Sequence, residues 1–323
     1  MLPRGFVHHI DPIIIEVADF YLWWYGLGYA LGFLETYFWL RKARVRIGLT
    51  RLEVYDLTIM VALGVLVGGR AVEVSFYEWA YYGQHPAQIP YCWLGGMSTH
   101  GVLLGGIVCT WLFCLLRRKS FLRIADELVI PGAFLMGMGR IGNFIDGQIV
   151  GRVTDVWWAV KFPDAEGFRH PVVLYDGLKN FLLIPILLLV RKRTSVPGMV
   201  TAHFIFWYGF LRIFVDIFRE YPTRMFGIPT GQNFNIFMSL AGIFLFSWLP
   251  RRHKAAAARE VPPAAPSFAP SPRPFGLWAR RAVLAFLLLF SLILPSDWTQ
   301  DIPQRYGKRH PGLHYSALYP RIE

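Results

Sequence analysis

Two arginines stand inside segments that otherwise have the composition of membrane spans, and they are the residues best suited to chemistry. Arg140 belongs to the run GRIGNF at 139–144, and Arg212 lies within the apolar run 204–218. A charge at bilayer depth costs several kcal/mol, so an ionisable residue there indicates a functional site. A guanidinium group also presents a fixed fork of donors that suits phosphate. The pair therefore predicts a site for an anionic group, with a lipid phosphate as the favoured ligand.

Further polar side chains follow Arg140 in the glycine-dense segment 137–152. They are Asn143, Asp146 and Gln148. So much glycine is unfavourable to a regular helix, and we expect this segment to present backbone N–H groups and side chains to a ligand oxygen. The alternative is an arginine that extends to the interface from a glycine-lined packing helix.

The second arginine has a carboxylate partner on its own helix. Arg212 and Asp216 are four residues apart, so they share one helix face and are predicted to pair. Tyr208 lies one turn earlier on that face. The pair could serve only to neutralise two buried charges, or the arginine could also donate outward to a ligand.

Two histidines and a tyrosine complete the candidate set. His100 lies in GGMSTHG at 95–101, where it would face the membrane surface and could exchange a proton near neutral pH. His170 precedes Pro171 at a predicted helix start. Tyr25 belongs to WWYG at 23–26. Each also has an ordinary structural explanation: a helix-start hydrogen bond for the histidines, and an interfacial aromatic belt for Tyr25.

The composition identifies the class of protein that carries these residues. Of 323 residues, 54% are hydrophobic and only 17% are charged, whereas soluble domains are nearer about 25% charged. The formal net charge is +12, but the basic residues form short clusters between apolar runs, which is typical of membrane loops. We therefore predict an all-α polytopic membrane protein. We expect no nucleic-acid partner, no bound metal and no cofactor.

Apolar runs of about 20 residues, the length that crosses a bilayer, divide the chain. Seven core spans are predicted at 13–40, 55–80, 97–116, 124–144, 172–190, 200–218 and 234–249. Residues 1–250 are thus interpreted as a seven-span core, 251–276 as a basic and then Ala/Pro-rich linker, 277–295 as an additional eighth transmembrane helix, and 296–323 as a polar tail. No internal repeat is visible, which disfavours a transporter built from duplicated halves.

Basic clusters at every second connection predict the orientation. They are RKARVR at 41–46, RRK at 117–119, RKR at 191–193 and RRHK at 251–254. Because cytoplasmic loops carry an excess of Lys and Arg, these connections are predicted inside and the N-terminus outside. Segments 145–170 and 219–232 then lie on the outer side, next to the two arginines.

Together, these motifs resemble those of the bacterial prolipoprotein diacylglyceryl transferases. The matching segments, in order, are DP at 11–12, WYGL at 24–27, GGMSxHG at 95–101, GRIGNF at 139–144, HPxxLY at 170–175 and YGxxR at 208–212. Order and spacing agree over about residues 8–250. The resemblance implies the same seven-span core with an outer N-terminus, whereas the eighth span and the tail fall outside it.

The resemblance implies transfer of the diacylglyceryl group of phosphatidylglycerol to the lipobox cysteine thiol of a prolipoprotein, with release of glycerol phosphate. The implied catalytic residues are His100, Arg140, Arg212 and Tyr25, and the implied substrate-binding residues are Arg140, Asn143, Asp146, Gln148, Tyr208, Asp216 and His170. The arginines would stabilise the departing anion. His100 or a nearby carboxylate would accept the thiol proton. The expected partners are phosphatidylglycerol, prolipoprotein signal peptides and membrane lipids, in a multi-pass protein of the bacterial inner membrane whose site faces the outer side.

Five positions depart from the family's pattern and keep alternatives open. Gln148, Asp216 and Asp176 stand where the family usually carries glutamate, Asp146 where asparagine is common, and Val173 where glutamine is usual. One alternative is a catalytically weakened paralogue that binds lipid or lipoprotein without transfer. Another is a small-anion transporter that uses the intramembrane arginines.

Overall fold

The computed structural model describes residues 5–220, 224–225, 227–257, 274–296 and 301–322, and most of them are helical. The helices are α1 (Trp24–Ala43), α2 (Arg51–Val72), α3 (Trp79–Tyr82), α4 (Thr99–Arg117), α5 (Phe121–Ile145), α6 (Val172–Arg193), α7 (Met199–Ile217), α8 (Thr230–Ala257), α9 (Pro274–Ser291) and α10 (Ile302–Tyr306). A π-helical turn, Glu73–Tyr77, prolongs α2. Three two-stranded sheets pair β1 (Phe6–Val7) with β4 (Val160–Lys161), β2 (Ile13–Val17) with β3 (Phe20–Trp23), and β5 (Arg224–Met225) with β6 (Ile228–Pro229).

Six helices in the described part of the chain are long and apolar enough to cross a membrane. They are Arg51–Tyr77, Thr99–Arg117, Phe121–Ile145, Val172–Arg193, Met199–Ile217 and Gly231–Lys254. The predicted class, an all-α multi-pass membrane protein, is confirmed. The first and eighth predicted spans correspond to α1 and α9, which are 20 and 18 residues long, and the total number of spans stays a prediction.

The helix α5 lies at the centre of the site-bearing half, packed against α1, α6 and α7, while α7 also packs on α8. A second close pair is α2 with α4. There, a side chain at Gly105 would collide with the Gly64 carbonyl, so the two backbones meet directly. Small residues permit this approach between membrane helices, where van der Waals packing drives association.

Two carboxylates gather the basic clusters at one end of the bundle, which we call the basic end. Glu127 of α5 accepts from Arg46, 2.9 Å away, and pairs with Arg191 at 3.3 Å. Asp56 of α2 binds both Arg117 and Arg280. Loops that were predicted to share one side of the membrane therefore lie together.

The helix α9 runs from the basic end to the opposite end. Arg280 near its start binds Asp56, and the Leu292 carbonyl just after its end accepts the backbone N–H of Trp23, at the start of α1. This course fits the predicted eighth span. Of the predicted linker 251–276, residues 251–257 continue α8 as helix, and 258–273 lie outside the described residues.

The prediction that the first span begins at Ile13 is wrong, because 13–23 forms the β2–β3 hairpin. Its turn consists of Ala18 and Asp19, with φ of 49° and 64°, the left-handed conformation typical of two-residue hairpin turns. The consecutive β-branched residues of β2 favour a strand. Their apolar character alone does not distinguish a strand from the start of a span.

The expected irregularity of 137–152 is also wrong for its first half, because α5 stays helical through Ile145. Its glycines serve packing instead. A side chain at Gly142 would lie 2.7 Å from the Cα of Tyr25, and one at Gly137 would lie 2.8 Å from the ring of Phe181. The chain leaves the helix only at Asp146 and Gly147, where φ reaches 74°.

Candidate functional site

Three helices bring the two arginines to one carboxylate. Arg140 of α5 places its Nε 2.6 Å from Oδ2 of Asp176, which lies in the first turns of α6. Arg212 of α7 forms an ion pair with the same oxygen. Asp176 is 2% exposed and Arg212 is 8% exposed. The two guanidinium groups thus converge at a buried point between α5, α6 and α7, as the sequence predicted.

A third cation binds the other oxygen of the same carboxylate. The Nζ of Lys179 lies 2.9 Å from Oδ1 of Asp176 and 3.5 Å from the ring centroid of Tyr208. The side chain is buried, so its ammonium group is held by one carboxylate and by the electron-rich face of one aromatic ring. Tyr208, predicted as a substrate-binding residue, therefore contacts a cation of the cluster.

The predicted pairing of Arg212 with Asp216 is confirmed. The Nε of Arg212 lies 2.9 Å from Oδ1 of Asp216, and the Nδ2 of Asn235 donates to Oδ2 over 2.7 Å. Asn235 comes from α8, so this carboxylate joins α7 to α8. Both of its oxygens are engaged, which fixes the direction in which the arginine points.

The cluster carries an excess of positive charge. Its members are three cations, Arg140, Arg212 and Lys179, and two carboxylates, Asp176 and Asp216, so its formal charge is 3 − 2 = +1. A small cavity beside it is lined by Arg140, Ile149, Val172, Val173, Asp176, Arg212 and Arg219. Fixed cations in a low-dielectric site interact strongly with an anion, so the excess charge favours an anionic group.

Asn143 and Tyr25 lie beside Arg140. The Oδ1 of Asn143 accepts from an Arg140 terminal nitrogen over 3.0 Å. Tyr25 packs its backbone on Gly142 and pairs its hydroxyl with that of Tyr29 at 3.1 Å. Close packing of α1 on the last turns of α5 thus places both predicted residues next to the cluster.

His100 occupies the first turn of α4 and is exposed. Its Nδ1 lies 3.2 Å from the Tyr77 hydroxyl. The preceding loop is held by Arg70, which donates to the carbonyl of Gly95 and, over 2.8 Å, to that of Ile89. Within the described residues, His100 shares no hydrogen bond or ion pair with the arginine cluster.

His170 lies just before α6, and its surroundings are aromatic. Its Nδ1 is 3.1 Å from the Tyr175 hydroxyl, and its ring packs on Phe218 with centroids 4.9 Å apart. Burial lowers the pKa of this imidazole, which favours its neutral form. In the part of the chain that the structure describes, it makes no direct contact of these kinds with Arg140 or Arg212.

Asp146 and Gln148 turn toward the C-terminal segment. The Oδ2 of Asp146 accepts from the backbone N–H of Ser296 over 3.0 Å, and the Nε2 of Gln148 lies 3.4 Å from the Tyr306 hydroxyl. Both residues follow the end of α5, so they lie close to the cluster in sequence. Their contacts show that the tail reaches the site end of the bundle.

Two members of the cluster, and the amide that binds one of its carboxylates, were not among the predicted site residues. Asp176 was identified only as a departure from a family pattern, and neither Lys179 nor Asn235, which donates to Asp216, was predicted. The available signal was an aspartate and a lysine three residues apart within the apolar run 172–190. Ionisable residues within a span indicate a functional site, and this spacing places them on one helix face.

Comparison with known proteins identifies similar chains. The family model described as prolipoprotein diacylglyceryl transferase matches residues 12–248. The phosphatidylglycerol–prolipoprotein diacylglyceryl transferase of Geobacter sulfurreducens is 38% identical over 254 residues, covering 76% of this chain and 97% of the relative. The proteins of the same name from Pseudoalteromonas atlantica (38% over 258 residues, 76% and 92%) and Rhodospirillum rubrum (37% over 262 residues, 77% and 95%) are also similar.

Proposed function

Because this chain belongs to the prolipoprotein diacylglyceryl transferase family, we propose that it transfers the diacylglyceryl group of phosphatidylglycerol to the thiol of a prolipoprotein lipobox cysteine. The observation that carries the proposal is the convergence of Arg140 and Arg212 on Asp176, which gives a buried cluster with a formal charge of +1. Such a cluster is suited to an anionic headgroup that must leave as a phosphate.

In the proposed reaction, the cysteine sulfur attacks the glycerol carbon that carries the phosphate ester. A carbon–sulfur bond forms, the carbon–oxygen bond breaks, and glycerol phosphate leaves with the bonding electron pair. Arg140 and Arg212 stabilise the charge that develops on the leaving oxygen. Asp176 and Asp216 hold these groups in place beforehand, so little reorganisation is needed during the reaction.

We assign acceptance of the thiol proton to His100. Asp176 and Asp216 each bind at least one guanidinium group, so their oxygens are already engaged in ion pairs. His100 is instead exposed and contacts only a tyrosine hydroxyl among the described hydrogen bonds. Its imidazole is therefore the more accessible group to accept the thiol proton.

The remaining predicted residues orient the substrate in this proposal. Asn143 and Tyr25 contact the headgroup by hydrogen bonds next to Arg140. Tyr208 and Asp216 act by fixing Lys179 and Arg212, with which they already make contact. His170 lines the approach beside α6, while Asp146 and Gln148 act at the end of α5.

We further propose that the protein lies in the bacterial inner membrane with the site toward the outer side. The gathering of Arg46, Arg117, Arg191 and Arg280 at the basic end supports this orientation, because positive loops stay in the cytoplasm. The arginine cluster lies toward the other ends of the helices. Phosphatidylglycerol and the signal peptide would then reach it from the surrounding lipid.

The test is transfer by the purified protein from labelled phosphatidylglycerol to a lipobox peptide in lipid nanodiscs. Arg140→Ala and Arg212→Ala are expected to abolish transfer, because each removes a group that stabilises the leaving phosphate. Arg46→Ala is the matched control, since it also removes an arginine bound to a buried carboxylate, but at the basic end. Full activity in both cluster variants would overturn the mechanism.

The weakened-paralogue alternative predicts that the wild-type protein binds lipid and peptide without forming a thioether. Expression of this chain in a bacterial strain depleted of its own transferase distinguishes an active transferase from a weakened paralogue. Growth rescue is expected, and rescue eliminates the alternative. Binding without rescue, combined with gain of transfer in Gln148→Glu/Asp216→Glu, would favour the alternative instead.

A further inference from the structure

The C-terminal segment 301–322 lies beyond the family match, yet it is built into the site end of the bundle. The family model ends at residue 248. Ile302, Tyr306 and Tyr319 are at most 1% exposed and pack with Tyr21 and Trp23 of the N-terminal hairpin. The segment is therefore a folded layer and not a loose polar tail.

One side chain of this layer, Arg309, contacts the end of α5. Its two terminal nitrogens donate to the carbonyls of Ile145 and Asp146, over 3.2 and 2.8 Å. The last carbonyls of a helix have no intrahelical donors, and a cation is favourable there because the helix dipole is negative at that end. Arg309 supplies both the donors and the charge.

One of the five departures from the family pattern faces this layer, because Gln148 lies within hydrogen-bond distance of the Tyr306 hydroxyl. A second, Asp146, accepts from the backbone N–H of Ser296, five residues before the segment begins. Glutamine can donate to a tyrosine oxygen, which an ionised glutamate cannot do. Gln148 is thus in contact with a residue that lies beyond the family match.

The turn that follows α5 is strained and borders the cluster. Ile149 has a φ of 56°, a conformation that is rare for a β-branched residue and persists only when the surroundings enforce it. The same residue lines the cavity with Arg140 and Arg212. A displacement of the end of α5 would therefore shift residues of the site in two ways: through the helix, which carries Arg140, and through the turn, which carries Ile149.

We propose that Arg309 is a positioning residue for the transfer reaction. Through the carbonyls of Ile145 and Asp146 it fixes the last turns of α5, and with them Asn143 and Arg140. Gln148 contacts the same layer through the Tyr306 hydroxyl. This inference rests on the proposed function, because it assigns a role in the same reaction.

The first experiment compares full-length Arg309→Ala with wild type in the nanodisc transfer assay. We expect kcat to fall about 10-fold with KM for phosphatidylglycerol changed less than about 2-fold, because a small misplacement of a positioned group affects the reacting geometry more than ground-state binding. Arg309→Lys retains the charge at the helix end and is expected within about 3-fold of wild type. Arg321→Ala is the matched control: it removes an exposed arginine of the same segment that lies over the Tyr315 ring.

The second experiment measures hydrogen exchange at the amides of Asp146, Gly147 and Gln148, which donate back into the end of α5. Faster exchange is expected in Arg309→Ala and not in Arg321→Ala. If Arg309→Ala does not fold, Arg309→Lys carries both measurements, with smaller changes in the same direction. Unchanged kcat per folded molecule, or unchanged exchange at these amides, overturns the proposal.

The two proposals fail in different ways. If wild type shows no transfer, the proposed function fails, and the exchange measurement alone decides whether Arg309 fixes the end of α5. If wild type transfers normally and Arg309→Ala does so as well, the proposed function survives and the role of Arg309 is wrong.

Discussion

The substitution Asp176→Asn tests the site most directly, because it removes the shared anion and keeps the shape of the side chain. Oδ2 of Asp176 binds both arginines and Oδ1 binds Lys179. An amide has one accepting oxygen and one donating nitrogen, so it can satisfy only one of these two sides. On the other side, the amide nitrogen, which is a donor, would face either the buried arginines or the buried Lys179 ammonium group.

The expected size of the effect follows from this mismatch. The formal charge of the cluster changes from +1 to +2, and breaking a buried ion pair by removal of one partner costs about 3–5 kcal/mol. We expect a clear fall in the thermal unfolding midpoint. The arginines also lose their common anchor, and a displacement of about 1 Å reduces the rate about 100-fold, or about 2.7 kcal/mol in activation free energy.

The matched control is Asp56→Asn. Asp56 also binds two arginines, Arg117 and Arg280, but at the basic end. This variant is expected to lose stability and to keep kcat within about 2-fold of wild type per folded molecule. Transfer measured in nanodiscs, normalised to folded protein, checks both variants. Wild-type kcat in Asp176→Asn, or an equal loss in both, would refute the reasoning.

Three further predictions concern packing, pH and the base. Gly142→Ala is expected to destabilise the fold by about 1–3 kcal/mol, because the new methyl group would lie 2.7 Å from the backbone of Tyr25. Gly139→Ala, whose methyl group meets open space, is expected to be neutral or stabilising by up to about 1 kcal/mol. Chemical denaturation of the two variants and the wild type measures both free-energy changes. Burial lowers the pKa of His8, although its Nε2 donates to the Phe144 carbonyl. The unfolded chain therefore binds the proton more readily, and the stability of the fold decreases as the pH drops below about 6.5. In His8→Gln the thermal unfolding midpoint is expected to depend less on pH between 7.5 and 5.5, and an unchanged dependence would contradict this. His100→Gln is expected to lower kcat at least about 100-fold, as loss of a general base does. Tyr77→Phe removes only the hydroxyl that contacts His100, and it is expected to keep most activity. Comparable rates in the two variants would exclude His100 as the base.

The parts of the site that depend on spacing along one helix were predictable from sequence. Arg212 and Asp216 are four residues apart, and the structure pairs them. That Arg140 and Arg212 belong to one functional site was predicted from the cost of burying each charge in hydrocarbon. Their meeting point on Asp176 was not, because it depends on how α5, α6 and α7 pack, and helical periodicity does not specify the partner helix.

The two errors in the fold arose from composition. Residues 13–23 are apolar enough for a span, but their β-branched residues and the left-handed turn at Ala18 and Asp19 produce a hairpin. The glycines of 137–145 suggested irregular backbone. In a packed helix pair they instead admit a neighbouring backbone, as Gly142 admits Tyr25, and that benefit outweighs the low helix propensity of glycine.

The contact between the β2–β3 hairpin and segment 301–322 constrains how this protein matures. The backbone of Tyr21 donates to the hydroxyl of Tyr319, 298 residues further along, and Trp23 packs on Tyr306. The hairpin is synthesised long before its partner, so its aromatic surface stays uncovered until Tyr319 has left the ribosome. A chain released after α8 would contain every residue of the arginine cluster, but it would lack Arg309, which binds the carbonyls at the end of α5.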